Sequence, residues 1–258
     1  MTTPKVATVR KGGSRLYVDE LTGERQPGVT SIINMLAKPG LRYYYAKKTA
    51  ESAIEDLGTI IEMVTKGRPD DAIDWLKPAP GRHSGKAADI GTQVHSIVEQ
   101  LNRGESVTVH PDFQGFVDRY KEFLDLWQPE WLEVEATIWN DAVGYAGTCD
   151  GIARIQGEIA IVDLKTGQSG VYPEAGIQLN AYANGEFILE PNGDRRPLPK
   201  IEAAAVVHLR PDKCEVIPIR LGADIFQTFC ALREVFTWET DIKGNVVGKP
   251  VAPDSESE

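Results

Sequence analysis

Residues 147–167 read GTCDGIARIQGEIAIVDLKTG, and the placement of charge in this stretch governs how the rest of the chain is read. Two runs rich in Ile, Val and Ala flank Gln156 and Gly157, a pair suited to a two-residue hairpin turn. A turn centred between them sets Gly151 opposite Val162 and, one step on, Asp150 opposite Asp163. Directly opposed residues have Cβ atoms roughly 4.5–5.5 Å apart, so the two carboxylates become neighbours. Side chains alternate along a strand, which puts Lys165 on the face of Asp163 and sends Ala160, Val162 and Leu164 to the other, apolar face.

Two acids this close repel each other, and both are costly to desolvate beside Ile159, Ile161 and Val162. A hard divalent cation removes both costs, and Mg²⁺ is commonly held by one or two carboxylates plus water and phosphate oxygens. Lys165 is then placed to orient or deprotonate a water, or to offset charge developing on phosphorus. The plainer alternative is a solvated hairpin face on which Asp163 and Lys165 merely pair. Asp-x-Lys alone carries little information. The aligned Asp150, the apolar opposite face and the Thr166-Gly167 exit favour the chemical reading.

Working outward, residues 131–139, 144–155, 158–165, 202–209 and 213–219 alternate as strands, and 173–188 and 222–238 follow helical spacing. Upstream, residues 1–25 read as an extended, hairpin-like lead-in. Helical patterns follow from Val29, over 41–66, 70–76, about 84 or 87 to 101, and 111–126. The Pro- and Gly-rich run 77–86 (KPAPGRHSGK) reads as a basic loop. These elements predict an α/β fold: a central mixed β-sheet flanked by helices, with N-terminal helical additions. A single domain is expected over 1–250, with 1–83 as a helical wall and 84–240 as the core. Residues 251–258 form an acidic tail expected to be disordered.

Composition narrows the function. No run has the eighteen or so apolar residues of a membrane helix, and the N-terminus lacks a signal peptide's apolar stretch, so a cytoplasmic protein without membrane contact is expected. Cys149, Cys214 and Cys230 form no CxxC pair, which speaks against a zinc or iron–sulfur site. The net charge of −10 argues against a protein that coats nucleic acid nonspecifically. Its distribution is uneven. Residues 1–48 hold nine basic side chains (Lys5, Arg10, Lys11, Arg15, Arg25, Lys38, Arg42, Lys47, Lys48) against Asp19, Glu20 and Glu24. That excess suits a phosphate backbone or a merely solvated surface.

Asp150 followed by Asp163-Leu164-Lys165 resembles the core of PD-(D/E)XK nucleases, and more narrowly the RecB-like branch that includes phage recombination exonucleases. Gly91-Thr-Gln-Val-His95 is similar to that branch's upstream Gly-x-x-x-His helix. Gln178-Leu-Asn-Ala-Tyr182 is similar to its downstream Gln-x-x-x-Tyr motif. Pro27-Gly-Val-Thr-Ser-Ile-Ile, then Leu41-Arg-Tyr, resembles the N-terminal region of phage members.

The resemblance covers roughly residues 27–210 and departs in two places: Cys149 stands where a proline often precedes the first Asp, and a four-cysteine cluster arrangement is missing. It implies a restriction-endonuclease-like core and a Mg²⁺- or Mn²⁺-dependent deoxyribonuclease, an exonuclease before an endonuclease, without an iron–sulfur cluster. It further implies metal contacts from Asp150, Asp163, His95 and the Leu164 carbonyl. Lys165 would act on the nucleophilic water, and Gln178, Tyr182 and Thr166 would lie beside DNA or the lysine. Glu135 resembles an extra upstream acid that joins the metal or orients Lys165, although Glu133 shares its parity. Glu99, on the His95 face, is divided between helix surface and a supporting role. His208 reads as structural. DNA is the implied partner, with a single-strand annealing or recombination protein as a second. Two other classes compete: a DNA-binding accessory protein without hydrolysis, and a zinc hydrolase built on His95 and Glu99.

Overall fold

The computed structural model describes residues 5–251. The chain opens with β1 (Thr8–Lys11), β2 (Ser14–Val18) and β3 (Arg25–Pro27), a three-stranded antiparallel sheet. Gly28 then donates its amide to the Arg15 carbonyl at 2.9 Å, and α1 (Val29–Ile33) buries Val29, Ile32 and Ile33. The helical pattern of 41–66 resolves into α2 (Gly40–Glu55) and α3 (Leu57–Thr65). Asp56 separates them, its carboxylate accepting from Ser52 and from the Trp75 indole of α4 (Pro69–Leu76). Such local side-chain bonds compete with helix continuation.

The run at 77–86 is not a loop. It opens α5 (Ala79–Asn102), a single helix that also carries His95, so the expected border at residue 84 falls inside one element. Pro78 stands at the N-cap and Pro80 in the first turn, where an amide has no helical partner to lose. Tertiary contacts offset the poor glycine propensity. Arg82 donates to the Trp75 carbonyl at 2.9 Å, and its guanidinium lies 5.4 Å from the Trp75 ring centroid.

After a short 3₁₀ turn at Pro111–Phe113 comes α6 (Gln114–Trp127), tied to α5 by the Tyr120 hydroxyl on Asn102 Oδ1 at 2.7 Å.

The second half forms a mixed sheet. Its strands are β4 (Glu130–Asn140), β5 (Tyr145–Ile155), β6 (Glu158–Lys165), then after α7 (Glu174–Ala183) β7 (Phe187–Leu189), β8 (Arg195–Pro197), β9 (Ala203–Leu209) and β10 (Cys214–Pro218). The order is β10-β9-β6-β5-β4-β7-β8, seven strands, with only β6 and β9 parallel. The long helix expected to 188 ends at Ala183, because Phe187–Leu189 pairs with Ile138 and Trp139 of β4 instead. Strands of three residues depend on such a partner.

One face of the sheet packs on α1, α7 and α8 (Ala223–Thr237) through Ile138, Ile152, Ile161, Leu179 and Phe229. Tyr145 meets Phe229 edge-on, ring centroids 4.8 Å apart. The other face packs on α5 and α6 through Val94, Phe116, Tyr120, Val162 and Leu164. Each fully buried aliphatic side chain contributes about 1.5–3 kcal/mol. The chain is thus α/β, with a seven-stranded mixed sheet flanked by helices. Among the described residues, no helix is long and apolar enough to cross a membrane. Of the acidic tail expected at 251–258, residues 252–258 lie outside the described residues.

Candidate active site

Gln156 and Gly157 have φ of 51° and 91°, the pair of positive values that a type I′ hairpin requires. The register that follows sets Ile152 against Ile161 and Gly151 against Val162. There the ladder ends and the strands fork. Asp150 Oδ2 accepts the Leu164 amide at 2.6 Å, a carboxylate standing where a backbone carbonyl would continue the ladder. β6 instead continues beside β9, with Asp163 opposite Val206 and Lys165 opposite His208. A residue's amide and carbonyl point to the same strand edge, so the Leu164 carbonyl faces this fork too.

The fork opens into a cavity of about 430 Å³ lined by Asp150, Asp163, Leu164, Lys165 and Thr166. His95 lines it from α5, its Nδ1 3.5 Å from Asp150 Oδ1; Gln178 and Tyr182 line it from α7. Three glycines permit these approaches. A Cβ on Gly91 would stand 3.2 Å from Thr166 Oγ1, so α5 crosses close over the end of β6 and delivers His95 one turn later. A Cβ on Gly147 would fall 2.7 Å from Tyr182 Cε1, so only glycine lets α7 seat its tyrosine on β5. At Gly151 a Cβ would meet Trp131 at 2.5 Å.

The electrostatics follow from crowding. Asp163 is 3% exposed, and burial, reinforced by Asp150, pushes its carboxyl up to about 6 against the pull of Lys165 and His95. Asp150 is also penalised by burial, but His95, Lys165 and the Leu164 amide outweigh that and hold it below the usual carboxylate value. Burial disfavours the Lys165 ammonium. Asp163 and Asp150 more than offset this, so its pKa lies above the ordinary value and it stays charged. Lys165 Nζ sits 2.7 Å from Asp163 Oδ2, a charge-assisted contact that partners this buried oxygen. Lys165 also donates to Gln178 Oε1 at 3.3 Å, and Gln178 Nε2 to the Tyr182 hydroxyl at 3.4 Å. The i,i+4 pair on α7 therefore continues the chain of polar contacts that starts at Asp163.

Glu135 faces a different chamber from the one that Lys165 lines. It adopts φ 56° at a point where β4 and β5 pair Val134 with Gly151 and Ala136 with Cys149, and it is 3% exposed. It lines a smaller chamber of about 20 Å³ with His95, Glu99, Tyr120 and Asp150, while Gln178 is what touches the lysine. Left-handed backbone at a non-glycine costs of order 1–3 kcal/mol and clusters at functional sites. Glu133 is drawn outward by a register shift after Trp131 and forms a two-pronged pair with Arg196 at 2.8 and 2.9 Å. Glu99 is paired with Arg103. His208 Nε2 lies 2.7 Å from the Gly167 carbonyl and pins the exit of β6.

Sequence reasoning did not place Arg10, Arg15, Thr30, Ser31 or Asn34 at this cavity, yet all five line it. The signals were the basic excess of the first 48 residues and, for Thr30 and Ser31, the stretch Pro27-Gly-Val-Thr-Ser-Ile-Ile. Among the described residues, no group of three or more His, Cys, Asp or Glu side chains forms a ready cage for a metal ion. The donor set fits an ion that keeps several waters: two carboxylates lining one cavity and a backbone carbonyl at the same fork.

No family model matches the chain, and no curated protein does. Among solved structures, one titled "Crystal structure of SSO0001" is similar over 49% of this chain at 18% identity, with a TM-score of 0.31. The chain spans 57% of that structure's length.

Proposed function

We propose that the chain is a metal-dependent deoxyribonuclease with a restriction-endonuclease-like core, of the RecB-like branch of PD-(D/E)XK nucleases, hydrolysing phosphodiester bonds of DNA. The observation that carries this reading is the fork, where Asp150 caps the Leu164 amide and lines one cavity with Asp163 and Lys165. A binding module gains nothing from paired acids that repel phosphate.

Asp150, Asp163 and the Leu164 carbonyl would hold Mg²⁺ or Mn²⁺, with His95 beside them. The ion supplies Lewis acidity and a bound water of lowered pKa. Lys165, kept charged by the two acids, lies beside the acid pair and stabilises negative charge on the phosphoryl oxygens or orients the attacking water. Gln178 holds Nζ in place and Tyr182 holds Gln178. An exonuclease is favoured over an endonuclease by the motif resemblance.

The test is a time course on free-ended and end-blocked linear duplex DNA with Mg²⁺. The expected result is degradation that needs both Mg²⁺ and a free end, abolished by EDTA and by Asp163→Ala. Equal cutting of both substrates would make the enzyme an endonuclease. Metal-independent cutting, or none by the wild type, would overturn the reading.

A further inference from the structure

The hairpin of β1 and β2 carries an arrangement that costs stability unless an anion occupies it. Gly12 and Gly13 turn the chain with φ of 57° and 84°, and the register sets Arg10 directly opposite Arg15. Directly opposed like charges on a two-stranded ribbon are destabilising. Among the described residues, neither guanidinium has a carboxylate partner; Arg10 reaches only the Gly13 carbonyl at 3.4 Å. Neighbouring arginines elsewhere do find acids, as Arg195 does in Asp19 and Asp141.

This uncompensated pair lines the cavity that holds Asp163 and Lys165. The backbone at Arg15 is also anchored. Ser31 Oγ accepts the Arg15 amide at 3.1 Å, Gly28 donates to the Arg15 carbonyl, and the Tyr17 hydroxyl meets Thr148 Oγ1 at 3.1 Å on β5. Thr30, Ser31 and Asn34 add uncharged polar groups to the same wall.

We infer that Arg10 and Arg15 form a clamp for phosphate oxygens of the nucleic-acid strand, next to the phosphate positioned for cleavage; this rests on the reading of the cavity as a phosphodiester site. Paired guanidiniums present forked donors matched to phosphate geometry, and a bound phosphate turns their repulsion into shared attraction. The cavity is thereby divided into an acid side that holds a cation and a cationic wall that holds the strand. The phosphate is either internal to the strand or terminal, and the two sources are separable by experiment.

The test uses the full chain in EDTA and short single-stranded oligodeoxynucleotides bearing a 5′-phosphate, a 3′-phosphate or hydroxyl ends, with binding followed by fluorescence anisotropy over a NaCl series. The double variant R10Q/R15Q is expected to bind about tenfold or more weakly, with a salt slope shallower by about 0.7 for each lost contact. Equal loss on all three ends identifies an internal phosphate; a wild-type preference for one phosphorylated end that vanishes in the variant identifies a terminal one. R10K/R15K, which keeps the charge but loses the forked donors, should keep the salt slope and fall between the wild type and R10Q/R15Q in affinity. Because R10Q and R15Q relieve repulsion, their melting temperatures should match or exceed that of the wild type, so weaker binding cannot be assigned to unfolding. Unchanged affinity and slope in R10Q/R15Q, or no oligonucleotide binding by the wild type at low salt, would overturn the clamp. Should R10Q/R15Q bind and cut like the wild type, the clamp fails while the nuclease reading stands. Arginine-dependent binding without hydrolysis by the wild type reverses that outcome.

Discussion

Asp163 carries a cost that the fold does not relieve by itself. Below about pH 3 its carboxyl is neutral in folded and unfolded chains alike, because the unfolded value is 3.8. Between about 4 and 6 the folded chain keeps a proton that the unfolded chain has lost, so this group's contribution to stability falls as pH rises through that window. Above pH 6 the penalty levels off at about 3 kcal/mol, from 1.36 kcal/mol per pH unit. In EDTA, Asp163→Asn should therefore gain stability relative to the wild type between pH 4 and pH 7, as read from paired melting curves. Parallel curves across that range would contradict the assignment. The neighbouring residue tests position: Gln178→Ala leaves Lys165 Nζ held by Asp163 alone and should lower kcat about tenfold with little change in KM, whereas a purely structural Gln178 would leave kcat intact.

At the scale of elements, the site is an intersection of a hairpin, a helix crossing above it and a helix docked below it. Gly147 marks how tightly α7 is docked. Gly147→Ala should displace Tyr182, destabilise the protein by about 1–3 kcal/mol and reduce activity with it, measured by denaturant melts and turnover. The turn responds in the opposite sense. Gln156 holds a positive φ that asparagine tolerates better, so Gln156→Asn should raise stability by a few tenths to about 1 kcal/mol and leave turnover unchanged. This hairpin was legible in the sequence, because Gln156-Gly157 and the alternation around it are local signals. So were the positions of β4 to β6, β9 and β10. The strands β7 and β8 were not, since these three-residue strands exist only through pairing, β7 with β4 and β8 with β7. Nor was the start of α5, where prolines that break a helix interior are harmless in a first turn.

For the whole molecule, the N-terminal sheet and the mixed sheet meet at the cavity, through a bridge between Gly28 and Ala146 and the contact of Tyr17 with Thr148. That meeting explains what the sequence concealed. Asp150, Asp163 and Lys165 belong to one short stretch and declare themselves by spacing. Arg10 and Arg15 lie some 140 positions away, and no periodicity links them to the acids. Glu135 shows the converse: parity could not separate it from Glu133, and a register shift in β4 did.

The central claim is that Asp150 and Asp163 act together as one divalent-cation site. Its most direct test is a Mn²⁺ titration followed by electron paramagnetic resonance on the wild type, Asp150→Ala and Asp163→Ala. The account predicts a bound-ion signal in the wild type that either substitution abolishes. Equal Mn²⁺ binding in all three proteins would contradict it.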